Sequence, residues 1–392
     1  MRLLSILILL ILLSACNSSD TLPSPSLTPP YPAVSHPSPR SPVTSPQSSQ
    51  STVPSPLPSL SPTPLSLATD ITNPQSRIPS PFPSPAFQIT YSPWDPVLAQ
   101  TWSPDGSILA VAAGTKVYLY ESQSFVLFRS IQLDAWVGGM EFYSGSNADR
   151  LILSLILKNG KLEFWDASSS ELICSVQAHP RSGNSLDFVP GGTVLATAGS
   201  DPMVRLWELQ PLIEGNTCSL EPTAELIGSS FAVPYLQFNP SGVDLASVDG
   251  RAVRVREVAT ERLAGVLQGE DSIFSMDYHP SGDIIAVAEI GEKVRLWDLL
   301  TQKEIGVLTV PNAQRGHFIW QVVFSPDGLL VASGSSSGKL YLWETGDAKN
   351  WEKPIIFDAD TRDICSISFN FDGSMLFSGS LDGHFAAWSI SK

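Results

Sequence analysis

Basic residues are scarce in this 392-residue chain: 23 Lys and Arg stand against 38 Asp and Glu, a formal net charge of −15. A field of that sign repels phosphate backbones, which argues against DNA and RNA as partners and permits a cationic protein face. Cysteine is nearly absent as well. Beyond Cys16 there are only Cys174, Cys218 and Cys365, without the paired spacing that a zinc site demands. Cys174 and Cys365 fall in short strand-like runs and read as buried small residues. Cys218 sits in a longer loop, residues 209–225, and whether it bridges to Cys174 stays open. No His pair has metal-ligand spacing, and no phosphate-cradling Gly loop precedes a helix. No stretch carries a convincing helical period. The apolar run at residues 3–13 is short of the roughly 20 residues a membrane-spanning helix needs. No cofactor and no metal is therefore expected.

Proline is plentiful but unevenly placed. Nineteen of the 33 prolines lie in residues 17–85, among Ser and Thr, with only Asp20, Arg40, Asp70 and Arg77 charged. Such a composition cannot bury a core, and it is expected to act as a disordered linker. Fully extended as polyproline II, at ~3.1 Å per residue, it would reach about 200 Å. Ahead of it, Leu13-Ser14-Ala15-Cys16 follows Arg2 and the apolar run, and resembles a bacterial lipobox. The resemblance implies a signal peptide over residues 1–15, a lipidated Cys16, and an extracytoplasmic protein held to a bacterial membrane. Which membrane is open.

Residues 86–392 are organised by repetition. The phrase KVYLYE at Lys116 returns as KLEFWD at Lys161, MVRLWE at Met203, AVRVRE at Ala252, KVRLWD at Lys293, KLYLWE at Lys339 and HFAAWS at His384. Its anchors are Tyr120, Trp165, Trp207, Arg256, Trp297, Trp343 and Trp388, in steps of 45, 42, 49, 41, 46 and 45. An aromatic residue and a tight turn precede most anchors, as in Trp102-Ser103-Pro104-Asp105-Gly106 and Phe324-Ser325-Pro326-Asp327-Gly328. A period of this size with strand-like units predicts an all-β propeller of four-stranded blades. The paired phrases resemble the WD40 family across residues 86–392, which implies seven blades in one domain. The last repeat ends at its third strand. Residues 86–91, unassigned ahead of the first repeat, supply the missing outer strand by antiparallel pairing with residues 385–390 and leave no free edge there.

The sharpest constellation is His179, Thr197, Asp201 and Trp207, which matches the WD40 hydrogen-bonded tetrad residue by residue. Asp201 accepts from the imidazole, and Thr197 links the imidazole to the indole N–H. A His, a hydroxyl and an Asp also make a catalytic triad, but the resemblance places this set buried between strands, in a structural role. Other blades keep fragments: Ser378, Asp382 and Trp388 in the seventh, Ser333, Ser337 and Trp343 in the sixth. Gly334-Ser335-Ser336-Ser337-Gly338 fits G-x-S-x-G, yet it falls between two strands rather than on a strand-to-helix turn. Residues 358–363 have acids in partial calcium-loop spacing but Asp363 where Gly belongs. No catalytic residue and no metal ligand is assigned.

WD40 propellers resemble one another in recognising partners through the loops that lead into the innermost strands. Here those positions include Trp136 and Phe318, expected as exposed tips, with His317, Trp320, Arg362 and Asp363 nearby. Aromatic residues and Arg on one rim are the chemistry of interface hot spots. The resemblance implies a non-enzymatic, monomeric scaffold that binds protein partners, not nucleic acid, and touches the membrane through its lipid. The alternative is a module that binds an envelope glycan, peptide or metal at the channel mouth, as in envelope assembly.

Overall fold

The computed structural model describes residues 84–390, apart from 146–149, 216–217, 228–231, 312, 314–315, 347–350, 352 and 360–361. The expected signal peptide, Cys16 and nearly all of the linker lie outside the described residues. Seven antiparallel four-stranded sheets stand in a ring as a β-propeller. The innermost strand of each blade neighbours that of the next, and blade seven neighbours blade one. Blade four, whose anchor is Arg256, is complete, with a short innermost strand at Leu236–Phe238.

The second strand of each blade is buried over nearly its whole length. Ile152–Leu157 of blade two, ILSLIL, is buried throughout. A neighbouring blade covers each face of such a strand, so the alternation of a half-exposed sheet disappears. Outer strands are the reverse. Leu127–Gln132 of blade one buries one residue, Ile131. Between first and second strands the repeated Gly takes φ near +70°, as at Gly106 and Gly328, a conformation that other residues adopt at a cost.

Ring closure follows the expected pairing. Phe87–Thr90 lies antiparallel to His384–Ser389 with Phe87 opposite Ala387 and Thr90 opposite His384. Blade seven is thus made from both ends of the propeller sequence.

Each innermost strand is the edge of its sheet, and every second N–H faces the axis without a partner strand. A side chain from the preceding blade takes some of these donors. Glu141 Oε2 accepts from the N–H of Phe188 at 3.2 Å, Gln237 Oε1 from Tyr278 at 3.1 Å and Asp277 Oδ2 from Phe324 at 2.6 Å, while Asp187 accepts from Phe238. In every case the acceptor is the residue just before the aromatic of the turn phrase, used one blade ahead. Burial pushes the Asp277 carboxyl up to about 7, against the Phe324 and Gln237 hydrogen bonds that pull it down. Burial, then the charge of Asp187, raises Glu141 well above the carboxylate range.

On the outside, the connection between third and fourth strands leans back onto the blade before. Phe125 of blade one stacks on Phe87 of blade seven, ring centroids 4.6 Å apart. Gln302 of blade five donates to the Ala264 carbonyl of blade four at 3.1 Å. Trp351 of blade six covers Gly306 of blade five so closely that a Cβ there would lie 1.7 Å from the ring. In blade three the same connection carries a six-residue helix, Gln210–Gly215, where the sequence shows no helical period. Its buried Leu209, Leu212 and Leu220 pack against blade two. The open question of Cys174 resolves here: it is bonded to Cys218, Cα atoms 5.1 Å apart.

Three outcomes are expected. Deleting residues 86–91 strips the closing strand and lowers the melting temperature sharply in a thermal scan; an unchanged melt contradicts closure by this strand. Reducing the Cys174–Cys218 bridge, 44 residues apart, destabilises the propeller by about 4 kcal/mol on a chain-entropy scale, read by denaturant titration with and without reductant. For Asp277, a raised folded-state value means that the native state holds a proton the unfolded chain releases. Stability then falls as pH rises from about 4, the unfolded value, to about 7. Melting temperatures at pH 5 and pH 8 should therefore differ less in Asp277→Asn than in wild type.

Candidate functional site

In an antiparallel four-stranded blade, the connection into the innermost strand and the turn between second and third strands share one face of the ring. Six of the seven innermost strands carry a β-bulge at their second residue, for example at Phe274 in Ile273–Tyr278 and at Trp320 in Ile319–Phe324. A bulge re-aims the side chain it carries. In blades five and six it brings two aromatic residues together on this face, with Phe318 joining them. Phe274 and Phe318 stack with centroids 4.8 Å apart, and Trp320 meets Phe318 edge-on at 4.8 Å. All three rings are half-buried. Phe318 is therefore not the free tip expected of it. Its neighbour across the blades holds it, because a large ring next to Phe274 gains more from stacking than from standing in water.

The charged residues of this rim gather round the rings. The Trp320 indole N–H donates to Asp363 Oδ2 at 2.9 Å. Burial raises the Asp363 carboxyl, while that hydrogen bond and the charges of Arg362 and His317 draw it back. His317 Nδ1 lies 3.9 Å from Glu292 Oε1. Asp271, in the turn before Ile273–Tyr278, has no ion pair among the described residues. Trp136 belongs elsewhere on the same face. It precedes the innermost strand of blade two and is 37% exposed. Ring order puts it three blades from Phe318 and Trp320, so the six rim residues form two groups rather than one patch. Trp94, 74% exposed in the turn before blade one's innermost strand, is next to Trp136 in that order. The rule that selects Trp136 selects Trp94 too, when applied to the Pro-flanked turn Ser92-Pro93-Trp94-Asp95-Pro96.

In blade three His179, Thr197, Asp201 and Trp207 are joined in one chain. The Trp207 indole donates to Thr197 Oγ1 at 2.9 Å. Thr197 Oγ1 lies 3.1 Å from His179 Nε2, and His179 Nδ1 lies 2.6 Å from Asp201 Oδ1. Burial would raise the Asp201 carboxyl, but its bonds with His179 and Arg205 hold it below the usual range. His179 and Thr197 are fully enclosed, at 1% and 0% exposure, so this hydroxyl has no path to a substrate.

Blade six departs from its sequence fragments. Ser333 Oγ and Trp343 Nε1 are buried without hydrogen-bond partners. The polar centre of that blade comes from its neighbour. Glu292, in the turn between second and third strands of blade five, takes φ of 53°, a left-handed conformation that is strained for this residue. From there its Oε1 accepts from the Ser335, Ser337 and Tyr341 hydroxyls at 2.5, 2.9 and 3.1 Å. The G-x-S-x-G stretch is thus absorbed into a turn, with two of its three hydroxyls bonded to a carboxylate. Blade seven retains the link from Trp388 Nε1 to Ser378 Oγ, at 3.0 Å.

Four segments, residues 170–208, 261–298, 308–344 and 351–389, match the sequence profile of the WD domain, G-beta repeat. They hold the three inner strands of blades three, five, six and seven. The chain is 25% identical over 237 residues to pre-mRNA-processing factor 19 of Oryza sativa subsp. japonica, which covers 56% of this chain and 40% of that protein. It is 24% identical over 281 residues to the serine-threonine kinase receptor-associated protein of Bos taurus, 60% of this chain and 78% of the other. To the WD repeat-containing protein VIP3 of Arabidopsis thaliana it is 30% identical over 222 residues, 52% of this chain and 65% of the other. Four matched repeats within a closed ring of seven blades support the WD40-repeat family for this chain.

Proposed function

We propose that this protein is a membrane-anchored, extracytoplasmic scaffold, monomeric and without catalysis of its own, whose propeller docks protein partners on the face where the innermost strands begin. The observation that carries the reading is the aromatic surface there. Phe274, Phe318 and Trp320 form a half-exposed cluster, and Trp94 and Trp136 stand out as a second group on the same face. Large rings left in reach of water on one face are the usual anchors of protein interfaces.

The compartment and the anchor rest on other support. A disulfide between Cys174 and Cys218 fits an oxidising space outside the cytoplasm, since such bonds are rare in reducing compartments. The lipobox-like Leu13-Ser14-Ala15-Cys16 supplies the lipid attachment, and one acyl chain alone would hold only marginally.

Two experiments test this. Cross-linking on intact cells followed by capture of the protein should recover a discrete partner from wild type and lose it in a Trp136→Ala/Trp320→Ala double variant. Equal capture by both removes the assigned face. Replacing Cys16→Ser should move the protein from the membrane fraction to the soluble one. Continued membrane association argues against lipid attachment at that residue.

A further inference from the structure

The three-ring cluster sits in a charged setting that selects among partners. Asp363 lies at the head of blade seven and Asp271 at the head of blade five, on either side of blade six, which contributes Phe318 and Trp320. Asp363 already accepts the Trp320 indole N–H, and a carboxylate can take further donors on its two oxygens. An indole whose N–H is held by a carboxylate is richer in electron density across its face, which strengthens its attraction for a cation. Glu292 is spent on the hydroxyls of blade six, and Glu270 pairs with Arg295 and Lys293, so neither is the group that meets a ligand. Arg362 is the fixed cation of this rim, and His317 carries charge only when protonated. Ile290, 36% exposed and bridged to Phe318, extends the apolar surface across blade five. Residues 1–85 hold three basic and two acidic residues, so the remainder has 20 basic and 36 acidic, a net of −16. That field draws cationic segments towards the ring.

Resting on the reading of this face as a docking surface, we infer that its partner presents a basic peptide segment. An arginine or lysine side chain of that segment stacks on the Phe274–Phe318–Trp320 rings, and Asp363 and Asp271 receive its charge.

The test uses the full chain and three labelled peptides, capped repeats of Gly-Arg, Gly-Gln and Gly-Glu, with binding read by fluorescence anisotropy at fixed salt. The Gly-Arg probe should bind at least about tenfold more tightly than Gly-Gln, about 1.4 kcal/mol, and Gly-Glu should not bind. Trp320→Leu and Asp363→Asn should each weaken the Gly-Arg probe several-fold, with Trp320→Phe in between, since it keeps a ring and loses the indole N–H. Phe371→Ala, an exposed ring on the opposite face, should change nothing. Melting curves identify any variant that fails to fold, and Trp320→Phe then carries the comparison. No preference for Gly-Arg overturns the inference. So does a preference that survives in Trp320→Leu and Asp363→Asn, because the peptide is then held by net charge alone. If cross-linked capture still depends on Trp320 while the probes show no preference, the docking face stands and the cationic partner falls. If capture is indifferent to Trp320 as well, both fall.

Discussion

The ladder between Phe87–Thr90 and His384–Ser389 imposes a condition that the other contacts inherit. A ring of sheets is held together blade against blade by apolar faces, which have no direction and no stop. Blades would go on stacking, or come apart at the seam, unless one sheet were shared by both ends of the sequence. Once the seam is stitched, each second strand is enclosed on both faces. The sequence then tolerates runs such as ILSLIL that would be a liability in an open sheet. The axis acids, the backward-leaning connections and the disulfide all strengthen contacts that closure has already placed.

Within that frame the blades satisfy their buried polar groups in different ways. Blade three uses its own His179, Thr197, Asp201 and Trp207. Blade five gathers Glu289, Glu304 and Glu270 around Arg295. Blade six borrows Glu292 from its neighbour and leaves Ser333 and Trp343 unpaired. A buried donor without a partner costs about 1–3 kcal/mol, so divergence of this kind is tolerated only where packing on both faces is intact.

Much of the architecture was legible in the sequence because it depends on local chemistry repeated seven times. The Pro/Gly turns, the apolar strands and the period report on the blade, and a leftover strand before the first repeat reports on closure. The chain of bonds from Trp207 to Asp201 was legible for the same reason, since its members lie within one repeat. What stayed hidden involves contact between repeats. Glu141, Asp187 and Asp277 occupy the same column of their repeats, but they serve as acceptors only because the next blade's strand edge faces the axis. Phe318 looked like a tip because a sequence does not reveal the bulge that turns Phe274 and Trp320 towards it. Glu292 gave no sign of serving blade six, since its partners lie over 40 residues away. The Cys174–Cys218 bond stayed open because two strand-and-loop cysteines carry no spacing rule.

The closing strand is also where the upstream chain joins the ring, which makes it a mechanical element. A pull applied along the axis of Phe87–Thr90 enters the ring there. The four register pairs opposite His384–Ala387 then share the load in shear rather than parting one by one as in a zipper. Resistance to such a pull is set by the rate of unfolding rather than by equilibrium stability. The stacked rings of Phe125 and Phe87, which tie the same strand sideways to blade one, act as a lateral brace at the point where force arrives.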